Sequence, residues 1–155
     1  MQTSQVELLH EVVSRGVSGH NAIIDPSSGL SLTYGALERD LAAVRTTLQD
    51  WGFGRGDLLA LALPNGIEFV SLFLSSTATA ATAAPLNPAY TADEFRHYLT
   101  DMRAKAVILP RGSSEQTRSA ALSGMLQIEV SYSPCLLYTS DAADERTSVE
   151  LGGRR

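Results

Sequence analysis

The chain has 155 residues, of which 44% are hydrophobic and 19% charged, and a net charge of -5; these are the proportions of a folded domain with a real core, not of a disordered segment. With an acidic balance and no basic cluster it lacks the footprint of a nucleic-acid binder, and no stretch reaches the roughly 18 uninterrupted apolar residues of a membrane helix. A single cysteine, Cys135, cannot close an internal disulfide, and the first residues carry Glu7 and Glu11 rather than a basic segment followed by an apolar one, so a cytoplasmic compartment is expected.

Val6, Leu8, Leu9, Val12 and Val13 recur at helical spacing and predict a first helix over residues 4–15, ended by Gly16. Residues 22–24 and 30–33 read as two short strands around the turn Asp25-Pro26-Ser27-Ser28-Gly29, a candidate hairpin. Thr33 is placed to cap the next helix, with Leu37, Leu41, Val44 and Leu48 on its buried face and Glu38, Arg39 and Arg45 outside. Gly52, Gly54 and Gly56 invite a nucleotide-loop reading. They follow a helix and open a strand, the reverse of a dinucleotide loop, so they are read as a helix C-cap and tight turn.

Residues 58–63, LLALAL, form a continuous apolar run, which suits a parallel strand covered on both faces. Pro64-Asn65-Gly66 ends it, and Ile67, Phe69, Val70, Phe73 and Leu74 give the next helix an apolar stripe. A small-residue strand then ends at Pro85. This strand, helix, strand unit predicts a right-handed crossover in an open α/β sheet. Thr91-Ala92-Asp93-Glu94 starts another helix whose buried stripe is Phe95, Tyr98, Leu99 and Met102. Residues 106–109 form a further parallel strand, 114–125 a weaker helix, and 127–130 a strand.

The segment GDLLALALPNGIEFVSLFL, followed by ATAAPLNPAYTADEFRHYLTDMRAKAVIL, resembles the N-terminal region of the adenylate-forming (AMP-binding) acyl-CoA synthetases. That superfamily also holds coumarate CoA ligases, firefly luciferase and peptide synthetase adenylation domains. The wording ATAAPLNPAYTADEF is most similar to the oxalate CoA ligase branch, and Leu32-Thr33-Tyr34-Gly35-Ala36-Leu37 matches the family's LTYxEL segment. The resemblance covers roughly residues 21–109. It implies an α/β fold, mostly parallel sheet with flanking helices, that makes up an incomplete N-terminal region of the AMP-binding domain over residues 1–134. Ala80 and Ala81 depart from it, standing where many members carry Gly-Ala.

The implied reaction joins a small carboxylic or dicarboxylic acid to AMP from ATP and passes the acyl group to CoA. It needs a phosphate loop of the type YTSGTTGxPKG, Mg²⁺ and a lysine facing the developing charge. ATP, Mg²⁺ and CoA are therefore implied for a full-length parent, with none expected to bind this chain tightly. The sole lysine, Lys105, leads into a strand and matches no catalytic lysine of the family. No catalytic, cofactor-binding or metal residue is assigned. His10, His20 and His97 lack metal-ligand spacing, and Asp93 and Glu94 are adjacent and so diverge on a helix. Ser75 and Ser76 lack a nucleophile-elbow context. Asn87 and Tyr90 lie at the end of a sheet strand, where α/β proteins bind ligands, and are assigned structural support.

From Cys135 the tail CLLYTSDAADERTSVELGGRR loses any periodic core face. It resembles the in-frame translation of a transposon-type sequencing adapter, with Glu145, Arg146 and Thr147 at the variable index and Glu150 in place of an expected Asp. Residues 135–155 are thus expected to be an artefactual, disordered tail, and Tyr138-Thr139-Ser140 to copy the phosphate loop by coincidence. The tail holds four acidic and three basic residues, so the net charge without it is -4. Two alternatives remain open: a self-contained non-catalytic α/β binding domain, or part of another adenylate-forming enzyme such as a peptide synthetase adenylation domain. A peroxisomal signal, if the parent has one, would lie at a C-terminus beyond this sequence.

Overall fold

The computed structural model describes residues 8–113, 118, 125–133, 136–141 and 148–149. A 3₁₀ segment, Leu9–Arg15, leads to the strands β1 (Asn21–Asp25) and β2 (Leu30–Thr33), which pair antiparallel. The expected hairpin therefore forms. Its turn is drawn together by Asp25, whose carboxylate accepts from the Ser27 amide at 2.9 Å and from the Ser27 and Ser28 hydroxyls at 2.6 and 2.7 Å. Those donors, the Ser27 hydroxyl first, hold the Asp25 carboxyl at about 2.

Helix α1 (Tyr34–Asp50) starts where Thr33 predicts, the threonine hydroxyl accepting from the Ala36 amide at 3.2 Å. Leu37, Leu41, Val44 and Leu48 are buried along it, as their spacing requires. Asp40, on the same helix, is half-buried; burial raises its carboxyl above the ordinary value, Arg39 opposing, and its Oδ2 has no hydrogen-bond donor among the described residues.

The main sheet follows. Strand β3 (Leu58–Leu61), helix α2 (Ile67–Ala78) and strand β4 (Thr82–Pro85) form one crossover; helix α3 (Ala92–Asp101) then returns the chain to β5 (Ala106–Pro110). β6 (Leu126–Ser133) comes next, and β3 pairs parallel with β4 and β5, and β5 with β6. β7 (Leu136–Asp141) adds antiparallel to β6, and β8 (Ser148–Val149) to β7, for a sheet order of β4-β3-β5-β6-β7-β8. The expected helix over residues 114–125 lies almost wholly outside the described residues.

Period-two alternation sorts the parallel strands between two layers. Leu59, Leu61, Ala106, Ile108, Ile128 and Val130 meet Val44 and Leu48 of α1 and Leu72 of α2 on one face. Ala60, Val107 and Leu109 meet Phe95 and Leu99 of α3 on the other. The continuous apolar run at β3 is thus buried on both sides, which a parallel strand inside a crossover needs. A smaller cluster of Val13, Leu32, Leu37, Leu41 and Ile67 ties the hairpin to the ends of α1 and α2.

Three sequence expectations change. The segment 4–15 forms only the 3₁₀ stretch from Leu9, residues 1–7 lying outside the described ones; Val13 alone is buried on it, while Leu8, Leu9 and Val12 are about half exposed. On α2 the fully buried residues are Ile67, Ser71, Leu72, Ser75 and Ser76, with Phe69 and Phe73 only partly covered and stacked on each other at 6.0 Å. Small side chains let α2 pack closely against its neighbours, α1 above all. The Ser75 and Ser76 hydroxyls are satisfied by the carbonyls of Ser71 and Leu72, each at 2.7 Å, so their burial leaves no unmade bond. Tyr98 of α3 is exposed, and its ring stacks on Tyr90 at 5.0 Å instead of entering the core.

Helices α1, α2 and α3 end in the same way. The residue in the left-handed region after each helix is Gly52, Ala80 and Arg103, with φ of 79, 62 and 51°. Paired bonds close each end: Gly52 to Gln49 and Phe53 to Leu48, Ala80 to Thr77 and Ala81 to Ser76, Arg103 to Thr100 and Ala104 to Leu99. This is the Schellman arrangement, which satisfies otherwise orphaned carbonyls at the helix end. The glycine expected at a C-cap is present only at the first. At the other two a side chain bears the crowding between Cβ and carbonyl oxygen.

Ala80→Gly relieves that crowding and should stabilise the chain by about 1 kcal/mol, less the backbone entropy that glycine loses on folding, seen as a higher urea midpoint at unchanged slope. Asp40 has a folded pKa above its unfolded value of 3.8; its contribution is complete below that value and is lost as pH rises through the folded pKa. Asp40→Asn should therefore raise the thermal midpoint at pH 7 and leave it nearly unchanged at pH 3.

Candidate functional site

In open α/β sheets ligands bind outside the carboxyl ends of the strands, at the point where strand order reverses. The chain leaves β3 toward β4 on one side, then crosses back to β5 and β6 on the other, so that point lies between β3 and β5. The loop after β3 carries Pro64, Asn65 and Gly66 and opens α2, whose first turn holds Glu68. The loop after β5 carries Arg111, Gly112 and Ser113. The Arg111 amide donates to the Val130 carbonyl at 2.8 Å, and the Ser113 amide and hydroxyl donate to the Pro110 carbonyl at 3.1 and 2.6 Å, with Gly112 at a φ of 77° completing the turn.

One strand further out, the loop after β4 carries Asn87 and Tyr90. The Asn87 side chain accepts from the Ala89 amide at 3.0 Å, and the Tyr90 amide donates to the Asn87 carbonyl at 3.1 Å. Both bonds build the turn into α3. The Tyr90 ring lies edge-on to Phe95 at 5.9 Å and stacks on Tyr98; desolvation, with Tyr98 beside it, raises its phenol. A turn-forming Asn and an aromatic brace are the geometry of structural support.

The remaining sequence candidates are kept apart. Asp93 pairs with Arg96 at 2.8 Å, whereas Glu94 closes a capping box with Thr91, accepting from its amide at 2.8 Å, so the two carboxylates serve different partners. The Thr91 amide, then its hydroxyl, lower the Glu94 carboxyl. Ser75 and Ser76 are buried in α2, and His97 lies beside Tyr98 at 5.6 Å between ring centres. Among the described residues no group of three His, Cys, Asp or Glu side chains is placed to hold a metal. Cys135 and the residues after Asp141 that would follow a phosphate-loop head lie outside the described residues, apart from β8.

The lysine is the informative case. Lys105 Nζ donates to the Gly52 carbonyl at 2.7 Å and to Asp57 Oδ2 at 2.9 Å, and sits 4.8 Å from the centre of the Phe53 ring. The same Asp57 oxygen accepts from the Gly54 amide at 2.9 Å. These residues precede β3 and β5, so the clamp lies at the amino edge of the sheet, opposite the ligand-binding edge. It neutralises the carbonyl end of α1 and couples the α1–β3 loop to β5. Sequence reasoning set Lys105 aside as non-catalytic but missed this partner, because Asp57 is 48 positions away and only the parallel register of β3 and β5 brings them together.

The Lys105 hydrogen bond is the leading cause of a lowered Asp57 carboxyl, followed by the Gly54 amide. A lowered folded pKa contributes stability in full above the unfolded value of 3.8 and loses it as pH falls through the folded one. Lys105→Met should return the Asp57 titration, followed by carboxyl NMR shifts, toward its ordinary value. Since both side chains are partly exposed, it should cost only about 1 kcal/mol at pH 7, and less once Asp57 is protonated, when only the bond to Gly52 and the Phe53 contact remain to be lost.

Comparison with known proteins agrees with this architecture. Residues 10–153 match the family described as AMP-binding enzyme. The chain is 41% identical over 95 residues to a probable CoA ligase, CCL9, of Humulus lupulus, covering 61% of this chain and 18% of that protein. It is 34% identical over 127 residues to an oxalate–CoA ligase of Saccharomyces cerevisiae, covering 75% and 23%. The chain thus spans less than a quarter of the length of these relatives. Its fold superposes on the N-terminal domain of FACL13 from Mycobacterium tuberculosis with a TM-score of 0.67 at 24% identity, covering 74% of this chain and 30% of that one. It superposes on a luciferase-like enzyme of the mealworm Zophobas morio with a TM-score of 0.73 at 18% identity, covering 82% and 30%. A doubly covered parallel sheet, the β3–α2–β4 crossover and this family match lead to one conclusion: the chain belongs to the AMP-binding enzyme family and corresponds to its N-terminal region.

Proposed function

We propose that the chain is the N-terminal part of an ATP-dependent acyl-CoA synthetase that activates a small carboxylic or dicarboxylic acid through an acyl adenylate, and that the 155 residues alone do not catalyse. The observation that carries the reading is the family match together with identities of 34 to 42% to CoA ligases, two of them oxalate–CoA ligases. The residues present do not fit the nucleotide chemistry. Attack of a carboxylate on the α-phosphate needs donors and a cation facing the phosphates, and the only lysine is committed to Asp57 and Gly52 at the far edge of the sheet. This segment supplies a scaffold: the sheet and the loops after β3, β4 and β5 at its carboxyl edge. ATP, Mg²⁺, CoA and the acid belong to the parent, which on this reading is a cytoplasmic enzyme.

We further propose that residues 135–155 do not belong to that parent. Support comes from the adapter-like wording of the tail and from its chemistry, since Asp141-Ala142-Ala143 stands where a phosphate loop needs glycine and threonines.

The first test is pyrophosphate exchange into ATP by the purified 155-residue chain, with oxalate and other short dicarboxylates. No exchange above background is expected; exchange that depends on the acid would overturn the inactive reading. The second is sequencing the source DNA across the codons for Gln127 to Leu151. A reading that passes Pro134 without CLLYTSDAAD and meets a Ser, Thr and Gly-rich loop followed by lysine is expected. A genomic tail followed by a stop codon would instead favour a self-contained binding domain.

A further inference from the structure

We draw no further inference here: the strongest candidate, the exposed apolar side chains Leu8, Leu9, Val12, Val17 and Ile24 on the 3₁₀ segment, the turn after it and β1, carries nothing because nothing in the structure shows what covers them.

Discussion

Burial of β3 on both faces is the constraint from which the rest of the layering follows. A strand hydrogen-bonded on both edges and covered above and below has no room for a polar side chain, so its sequence is a run of Leu and Ala. Leu59 and Leu61 require a layer on one side and Ala60 a layer on the other. Among the described residues α1 and α2 supply the first and α3 the second. The size difference between the faces matters too: leucines meet α1 and α2, while alanine leaves room for the Phe95 ring of α3.

Parallel strands impose a second cost. Each crossover returns the chain to the same edge, so α2 and α3, like α1, end before a strand at the amino edge of the sheet. Three carbonyl ends gathered there are electrostatically unfavourable and poorly satisfied. The repeated paired bonds after Asp50, Ala78 and Asp101 supply donors for those carbonyls. Lys105 adds a positive charge directly at one of them. The amino edge is therefore organised by polar bonds at helix ends, and the described carboxyl-edge loops by turn bonds around Asn87 and Pro110.

Much of this was legible in the sequence, and the failures share a cause. Helix α1 was readable because one threonine and four leucine or valine positions obey a single local rule. The crossover was readable because Pro64-Asn65-Gly66 separates an apolar run from a helical stripe. The buried face of α2 was misread because hydropathy ranks Phe69 and Phe73 above Ser71, Ser75 and Ser76, while close packing rewards small size, with the Ser75 and Ser76 hydroxyls bonded within the helix and only the Ser71 hydroxyl left without a partner among the described residues. Tyr98 was misplaced for a related reason: helical spacing gives a direction, and whether a ring there is covered depends on Tyr90, outside the helix. The site's location was not legible: the sequence pointed to the strand end at Asn87 and Tyr90, one strand from the switch point, because strand order reverses only through pairings that no local window contains.

The clamp at Lys105 has a practical corollary. A chain with one side-chain amine offers reagents such as N-hydroxysuccinimide dyes or surface-immobilising esters a single side-chain target, and here that target is engaged in holding two strand entries together. Coupling through it would tether the molecule by one of its own internal fasteners, converting an ammonium into an uncharged amide beside Asp57. Attachment through engineered thiols on the outer face of α1 would leave that edge intact and report on the native sheet.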